Sequence, residues 1–236
     1  MGPNILLHGD GGQSFFDFPN QAVQTNPIGV VVLAPYPNLF WGGGSGLQRT
    51  DGVTHSQAVN DLILNELPNV VAFNNSQAFF TGVSGGSLLL SGFFIPAQMT
   101  NFKGTGVLLN CGGLVPQVTF QDANAVIVST TIHFQSTQSE LALLQPAVPS
   151  TIAAHENLAA TASLSTDQIG VLQTVNNAPQ GGHCESDGKG FSSGIQVMEN
   201  AFSNDIQPGG NGQVSGIGNV LTGVVSNEKL SFLGAT

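Results

Sequence analysis

Short apolar segments alternate along the chain with segments of helical periodicity, and this alternation constrains the fold more than any single motif. Strand-like runs end at Gly, Pro or polar clusters, whereas the segments between them repeat apolar residues at helical spacing. Strands are predicted at residues 4–7, 28–34, 77–83, 105–109, 125–132 and 171–175, and helices at residues 54–67, 86–94, 148–162 and 191–202. The pattern predicts an α/β fold with a minimal, mostly parallel sheet of about six strands and helices on both faces.

Two of these elements are predicted in more detail. Residues 28–34 form a continuous β-branched run closed by Pro35, which is typical of a central strand buried on both faces. In the segment 54–67, Thr54 is the candidate N-cap and Pro68 lies just beyond the end of the helix.

The chain of 236 residues is short enough for one domain with a single core. Residues 1–203 contain the predicted strands and helices and are interpreted as this domain. From residue 204 the sequence loosens into Gly, Asn and Ser, and only residues 219–233 regain some alternation. We expect residues 204–236 to be an extension that packs on or trails the same domain, with a short edge hairpin or a docked tail.

Charge limits the partners of this chain. The chain has four cationic and fourteen carboxylate side chains, which gives a net charge of -10. Such a chain repels polyanions and has too few cations to neutralise several phosphates, so nucleic acid is excluded as a partner. The longest apolar runs, residues 28–35 and 88–96, are far shorter than the ~20 residues of a bilayer-spanning helix, so no membrane span is expected.

The composition also bears on localisation. Only 8% of the residues are charged while 41% are hydrophobic, so the surface must consist largely of uncharged polar residues. The scarcity of cations and an Asn-x-Ser acceptor at Asn74 favour a secreted protein. Because such triplets also occur by chance, a cytoplasmic protein is the alternative. Oligomeric state has no signal in the sequence.

The segment 82–86 (GVSGG) matches the pattern G-x-S-x-G at the point where a predicted strand ends and a predicted helix begins. A serine on such a tight turn projects its hydroxyl above the sheet edge, and the small residues beside it let the turn close. The pattern and its setting predict that Ser84 is a nucleophile. The alternative is a Gly-Ser turn that only packs the helix against the sheet.

Five histidines are candidates for the general base that a serine nucleophile requires. His183 lies in a loop directly after the last predicted strand, at the sheet edge that carries the serine, and is the predicted base. His8 opens the loop after the first strand and is expected to brace it. His55 and His155 are expected on helix surfaces, and His133 is expected at the end of a buried strand as a core or lining residue.

The chain order Ser, acid, His confines the orienting acid to the segment between Ser84 and His183. Glu140 is the carboxylate of the loop 134–140, which follows a predicted strand. The other candidates precede a strand, at the wrong edge, or lie on a helix: Asp122, Asp167 and Glu156. Glu140 is therefore the predicted acid, and a solvated loop glutamate is the alternative.

Backbone amides are expected to form an oxyanion hole next to Ser84. The start of the following helix turns the Gly85 amide toward any oxyanion that forms, and a second amide would come from Gly9 or Asp10 in the loop after the first strand. A carboxylate beside a developing oxyanion is unfavourable, so we expect the Asp10 side chain to turn away and cap the following turn.

The segments 6–12 (LLHGDGG) and 82–86, together with Glu140 and His183, resemble the α/β-hydrolase superfamily. The likeness is to small secreted serine esterases such as polyhydroxyalkanoate depolymerases, feruloyl esterases and cutinases. It implies a three-layer α/β-hydrolase fold and ester hydrolysis through an acyl-serine intermediate, without a cofactor. The chain departs from this superfamily in two ways: it has no room for strands before residue 4, and its acid is Glu where Asp is more usual.

The two cysteines are both predicted at the edge of the sheet that carries Ser84. A disulfide between Cys111 and Cys184 would tie the loop of His183 to the sheet, and two buried free thiols are the alternative. Neither cysteine has a His or second Cys at zinc-like spacing other than the adjacent His183, so no metal is expected.

The loop 35–44 contains Tyr36 and Trp41, which are the only Tyr and Trp of the chain, together with Phe40. It follows the second strand at the same edge, so these three residues are predicted to form an apolar wall for the acyl group, or else to anchor the loop itself. Scarce cations favour neutral, apolar esters, either small molecules or polymers. A peptidase or amidase of the same superfamily and a binding or surface protein without turnover are the alternative functions.

Overall fold

A computed structural model describes residues 2–18, 28–102, 104–217, 221–222 and 230–233. Within these ranges the strands form one sheet in the order β2-β1-β3-β4-β5-β6-β7. The strands are β1 Pro3–Leu7, β2 Ile28–Val32, β3 Phe79–Val83, β4 Gly106–Asn110, β5 Thr131–Gln135, β6 Gln173–Asn176 and β7 Leu221–Thr222. Strands β1 to β6 are parallel and β7 runs antiparallel to β6, which confirms the predicted mostly parallel α/β sheet.

Helices lie between most of the successive strands. They are α1 Gly52–Asp61, α2 Gly85–Leu89, α3 Ile95–Gln98, α4 Ala123–Ile127, α5 Leu144–Thr161, α6 Thr166–Leu172, α7 Phe191–Asn200 and α8 Phe202–Asp205. A π-helical turn, Leu62–Glu66, extends α1, and another, Leu90–Phe94, joins α2 to α3. Short 3-10 helices occupy Asp10–Gly12, Leu67–Asn69, Asn75–Gln77 and Met99–Phe102.

The alternation of side chains along each strand divides the interior into two layers. One face of the sheet presents Ile5, Phe80 and Val107 to helices α1 to α6, and this layer is the main hydrophobic core. The opposite face presents Phe79 and Leu108, which pack against α7, α8 and the segment that follows them. Helices therefore cover both faces, as the alternation of elements predicts.

Strand β2 is an edge strand, so its predicted central position is wrong. All five of its residues are only partly buried, although Val30 and Val32 contact the main core and Val31 contacts the opposite layer. Apolar contact on both faces explains the continuous β-branched run, because a strand can be covered above and below and still lack a neighbour on one side.

Helix α1 begins earlier than predicted. Asp51 is its N-cap residue and Gly52 its first residue, whereas Thr54 lies inside the helix with an exposed side chain. The predicted cap at Thr54 is therefore wrong. The helical stripe itself is confirmed, because Val59 and Ile63 are buried in the main core.

The predicted strand 125–132 is half helix. Its first part belongs to α4, where Val126 and Ile127 enter the main core, and β5 begins only at Thr131. Likewise, Val171 and Leu172 end α6 rather than begin β6. Short apolar runs have no periodicity that distinguishes a buried strand from a buried helical turn. The observed boundaries of these elements therefore differ from the predicted ones.

The segment after residue 203 packs on the sheet where it is described. Ile206, Val214 and Ile217 are buried against Phe79 and Leu108. The Leu233 amide donates to the Gln138 carbonyl at 2.7 Å. Of the predicted hairpin or tail at residues 219–233, positions 219–220 and 223–229 lie outside the described residues.

No helix among the described residues is long and apolar enough to cross a bilayer.

Candidate active site

Ser84 lies between β3 and α2, on the turn that the sequence predicts. Its backbone has φ 48° and ψ -111°, and its amide donates to the Asn110 carbonyl of the neighbouring strand at 2.9 Å. Close packing explains the flanking glycines. A Cβ at Gly82 would lie 2.6 Å from the Ser87 nitrogen, and a Cβ at Gly86 would overlap the Leu7 carbonyl. Any larger residue at either position would displace the turn.

The three side chains predicted to act together do meet. His183 Nε2 lies 2.9 Å from Ser84 Oγ, and His183 Nδ1 is hydrogen-bonded to Glu140 Oε1. With the serine hydroxyl donating to Nε2, Nδ1 carries the proton that it donates to the carboxylate. The His183 side chain is 17% exposed and that of Glu140 is 0% exposed, so solvent reaches the imidazole but not the acid.

Glu140 is held by its own loop rather than by solvent. Its Oε1 also accepts the Leu141 amide at 2.9 Å, and Oε2 accepts the Ser136 hydroxyl at 3.3 Å. Gln145 donates to the Glu140 carbonyl at 2.8 Å. The solvated alternative is therefore wrong, because the carboxylate is buried and each oxygen has a donor.

The loop of His183 is attached to the sheet at several points. Thr137 donates its hydroxyl to the Gly182 carbonyl at 2.9 Å, and the Gly182 amide donates to Glu185 Oε2 at 3.0 Å. The predicted disulfide between Cys111 and Cys184 is present, with Cα atoms 5.2 Å apart. Its sulfurs lie near the His183 ring, but they are bonded to each other and so cannot supply the thiolates that a metal ion prefers.

His8 braces the loop after β1, as predicted. Its Nε2 accepts the Ala34 amide at 2.9 Å and its Nδ1 donates to the Gly9 carbonyl at 2.6 Å. Burial lowers the pKa of His8, which favours this neutral form with one donor and one acceptor.

The two candidate amides of this loop differ. The Gly9 amide already donates to the Gln13 carbonyl at 2.8 Å, so Gly9 is unsuitable as an oxyanion donor. No described residue accepts from the Asp10 amide, whose nitrogen would lie 3.3 Å from a Cβ at Gly85. The Gly85 amide is itself at the first position of α2, where no intrahelical acceptor exists. Asp10 and Gly85, which lie close together near Ser84, therefore each have an amide without a described acceptor.

The Asp10 side chain does not cap the following turn, and that prediction is wrong. Its carboxylate pairs with the Arg49 guanidinium through two bonds of 2.7 Å each, Nη1 to Oδ1 and Nη2 to Oδ2. Sequence reasoning missed Arg49 altogether. The available signal was compositional, because Arg49 is the only arginine among the four cations of the chain.

The other histidines lie outside this constellation. His133 is buried in the middle of β5, where Nδ1 contacts the Thr174 hydroxyl at 2.8 Å and Nε2 the Gln135 carbonyl oxygen at 3.2 Å, and burial lowers its pKa to about 4. The Gln135 oxygen in this contact is the side-chain Oε1, and His133 is a core residue. His155 is fully buried rather than on a helix surface, so that prediction is wrong.

His155 and His55 have structural partners. His155 faces the inner side of α5, where Nδ1 donates to the Thr151 carbonyl at 2.9 Å and burial lowers its pKa. His55 is half-buried, and its Nδ1 accepts the Gly42 amide at 2.8 Å. Burial also lowers the pKa of His55. His55 therefore lies partly at the surface of α1, where its ring also holds the loop that contains Gly42.

The three residues predicted to form an acyl-binding wall or to anchor their loop differ in exposure. Trp41 is 2% exposed and its ring packs between His8 and His55, so it anchors the loop and does not face a substrate. Tyr36 is 85% exposed and Phe40 is half-buried. Sequence reasoning missed other apolar side chains that are exposed in loops at the carboxyl edge of the sheet, and these are Phe16, Leu33, Leu141, Leu143 and Leu233.

Comparison with known proteins identifies the fold. No family model and no curated protein matches the sequence. A Bacillus cereus carboxylesterase structure has a TM-score of 0.54 at 16% identity, over 82% of this chain and 85% of that one. SOBER1 from Arabidopsis thaliana gives 0.52 at 16%, over 84% and 96%. Esterase PE8 gives 0.55 at 12%, over 85% and 91%. At these identities the likeness shows the fold alone, and the chain has the α/β-hydrolase fold that its sequence resembles.

Proposed function

We propose that this protein is a serine hydrolase that cleaves neutral, apolar carboxylic esters through an acyl-serine intermediate. The observation that carries the proposal is the hydrogen-bonded series Ser84, His183 and Glu140 at the carboxyl edge of the sheet. A hydroxyl is a poor nucleophile without a base, and the base must be oriented by a third group. Here His183 is the candidate base and Glu140 is the candidate orienting group. The esterases among the similar structures support the same chemistry.

The proposed reaction has two steps. Ser84 Oγ attacks the ester carbonyl carbon while His183 Nε2 accepts the hydroxyl proton, and Glu140 stabilises the imidazolium that results. Collapse of the tetrahedral intermediate breaks the bond to the alcohol, which leaves with the proton from His183. Water then attacks the acyl-serine with His183 as base again, releasing the acid and restoring Ser84. The Asp10 and Gly85 amides are the proposed donors to the oxyanion in both steps.

Surface chemistry favours an uncharged substrate. Exposed apolar side chains, including Phe16 and Leu143, lie in the loops at the edge where Ser84 is found, and the chain has few cations with which to bind an acidic group. Apolar side chains at this edge of the sheet favour an acyl or alcohol group of low polarity, from a small molecule or a polymer. The net charge of -10 disfavours nucleic acid as a partner.

The disulfide supports an oxidising location, such as the outside of the cell. Cys111 and Cys184 are both buried, and such bonds persist mainly in secreted and extracellular proteins. We therefore propose that the protein is secreted.

Labelling with a fluorophosphonate tests the proposal directly. The reagent should attach to Ser84, as peptide mapping would show, and the Ser84→Ala variant should lose both labelling and hydrolysis of p-nitrophenyl butyrate. A folded protein that is not labelled and hydrolyses no ester would instead be a binding protein. Faster cleavage of a p-nitroanilide than of the matching ester would make the protein an amidase or peptidase.

A further inference from the structure

The loop that supplies the Asp10 amide also places a negative charge next to the reaction. A Cβ at Gly85 would overlap Asp10 Oδ1 and lie 2.7 Å from Asp10 Cγ, so the carboxylate packs against the start of α2. That is where negative charge develops on the substrate oxygen in the proposed reaction. An unpaired carboxylate at this distance would oppose the oxyanion that its own backbone amide stabilises.

Arg49 removes this conflict. Its guanidinium binds both carboxylate oxygens of Asp10 at 2.7 Å, a two-bond geometry that fixes the direction of the carboxylate as well as its charge. The Arg49 side chain is 2% exposed and that of Asp10 26%, so the cation lies on the buried side of the pair. Among the described residues, Arg49 is the cation that pairs with a carboxylate of this loop.

The loop before α1 is built around the guanidinium. Arg49 Nη1 also donates to the Trp41 carbonyl at 3.0 Å, and the Asp51 amide donates to the Gly42 carbonyl at 2.8 Å. Gly42 has φ 79°, and a Cβ there would lie 2.9 Å from Arg49 Cβ. Only glycine fits this position, so the backbone presses against the Arg49 stem and limits its movement.

We propose that Arg49 is a positioning residue for the oxyanion site: through its pair with Asp10 it neutralises that carboxylate and fixes the Asp10 amide beside Ser84. Arg49 touches neither the substrate nor the reacting atoms and acts only through Asp10. The inference rests on the proposed function, because it assigns a role within the same reaction.

The test is a set of variants at the pair. Arg49→Met should lower kcat for p-nitrophenyl butyrate at least about tenfold and change KM by less than about twofold, because the lost interaction acts on the transition state. Asp10→Asn/Arg49→Met removes both charges and should recover most of kcat. Arg49→Lys should be intermediate, since an ammonium lacks the planar pair of donors. The exposed Lys189→Met removes a cation of the His183 loop and should change kcat by less than about twofold.

Melting temperatures separate positioning from folding. A double variant that is folded and yet as slow as Arg49→Met would overturn the inference, as would a loss confined to KM or an Arg49→Met enzyme with unchanged kcat. If Arg49→Met does not fold, kcat, KM and the melting temperature of Arg49→Lys and of the double variant are judged against wild type by the same criteria. A wild type that fluorophosphonate does not label overturns the proposed function and this inference together. A labelled wild type with no effect of Arg49→Met overturns the inference alone.

Discussion

Ser84 has a backbone conformation that residues with a Cβ rarely adopt, and its neighbours make that conformation possible. Gly82 and Gly86 leave room beneath the turn, and a Cβ at Gly112 would lie 2.8 Å from the Ser84 carbonyl oxygen. The backbone of the turn is therefore closely packed on three sides. Reactivity then depends on side chains from distant loops, first His183 and through it Glu140.

Glu140→Gln tests the orienting role at the scale of one residue. An amide can place an N–H toward His183 Nδ1 and favour the wrong tautomer, so we expect kcat to fall about 10²- to 10⁴-fold with an unchanged fold. Steady-state kinetics and the melting temperature check this result. The exposed Asp167→Asn makes the same chemical change elsewhere and should keep kcat. A Glu140→Gln enzyme within about threefold of wild type would contradict the assignment.

At the scale of elements, α7 and α8 place two carboxylates against the face of the sheet opposite the main core. Asn4 donates to Glu199 Oε2 at 3.1 Å, whereas Glu199 Oε1 and both Asp205 oxygens are buried without a hydrogen-bond partner among the described residues. Burial raises the pKa of Glu199 to about 7. Burial, and then the charge of Glu199, raises the pKa of Asp205 to about 9. Both groups are therefore expected to be protonated in the folded protein at acidic pH.

These raised pKa values predict that the free energy of unfolding falls as pH rises. In the unfolded chain both carboxyls ionise near their ordinary pKa of about 4, while the folded protein keeps the protons up to about pH 7 for Glu199 and about pH 9 for Asp205. The folded state binds more protons across that window. Below about pH 7 the four histidines whose pKa is lowered by burial act with the opposite sign. Above that pH these histidines are neutral in both states, so we expect a lower melting temperature at pH 9 than at pH 7.

Asp205→Asn should make this decrease smaller, because it removes one of the two carboxyls. Asp167→Asn, at an exposed position, should leave the wild-type decrease unchanged. Melting curves at the two pH values provide the comparison. An Asp205→Asn protein with the full wild-type decrease would show that Asp205 does not titrate in this way.

Element boundaries were the least predictable part of the fold. The run around Val126 and Ile127 is apolar and β-branched in either state, and only its position between β4 and β5 decides that it is a helical turn against the core. Strand β2 shows the same limit. Its sequence indicates that both of its faces are covered, but it does not indicate how many strands pair with it.

At the scale of the whole molecule, the disulfide joins the end of β4 to the loop of His183. Cys111 and Cys184 are separated by 73 residues, so the bond restricts a large part of the unfolded chain. In the chain-entropy estimate a loop of this size stabilises the folded state by about 4 kcal/mol.

Cys111→Ala/Cys184→Ala should therefore lower the free energy of unfolding by about 4 kcal/mol, as urea denaturation would measure. It should also lower kcat, because the His183 loop loses its covalent attachment to the sheet. Reduced wild-type protein is the matched control and should behave like the double variant. Equal stability of the oxidised and reduced proteins would mean that the hydrogen bonds of the loop suffice.

The sequence by itself determined the features that depend on neighbours along the chain: the turn that exposes Ser84 and the loop that presents His183. These are local, because backbone conformation and capping are decided within a few residues. Only the tertiary structure decided that Arg49 meets Asp10, that the Ala34 amide meets His8, and that Trp41 and His155 are buried. Each of these depends on which distant segments come into contact when the sheet forms, and ion pairing and burial are properties of that contact.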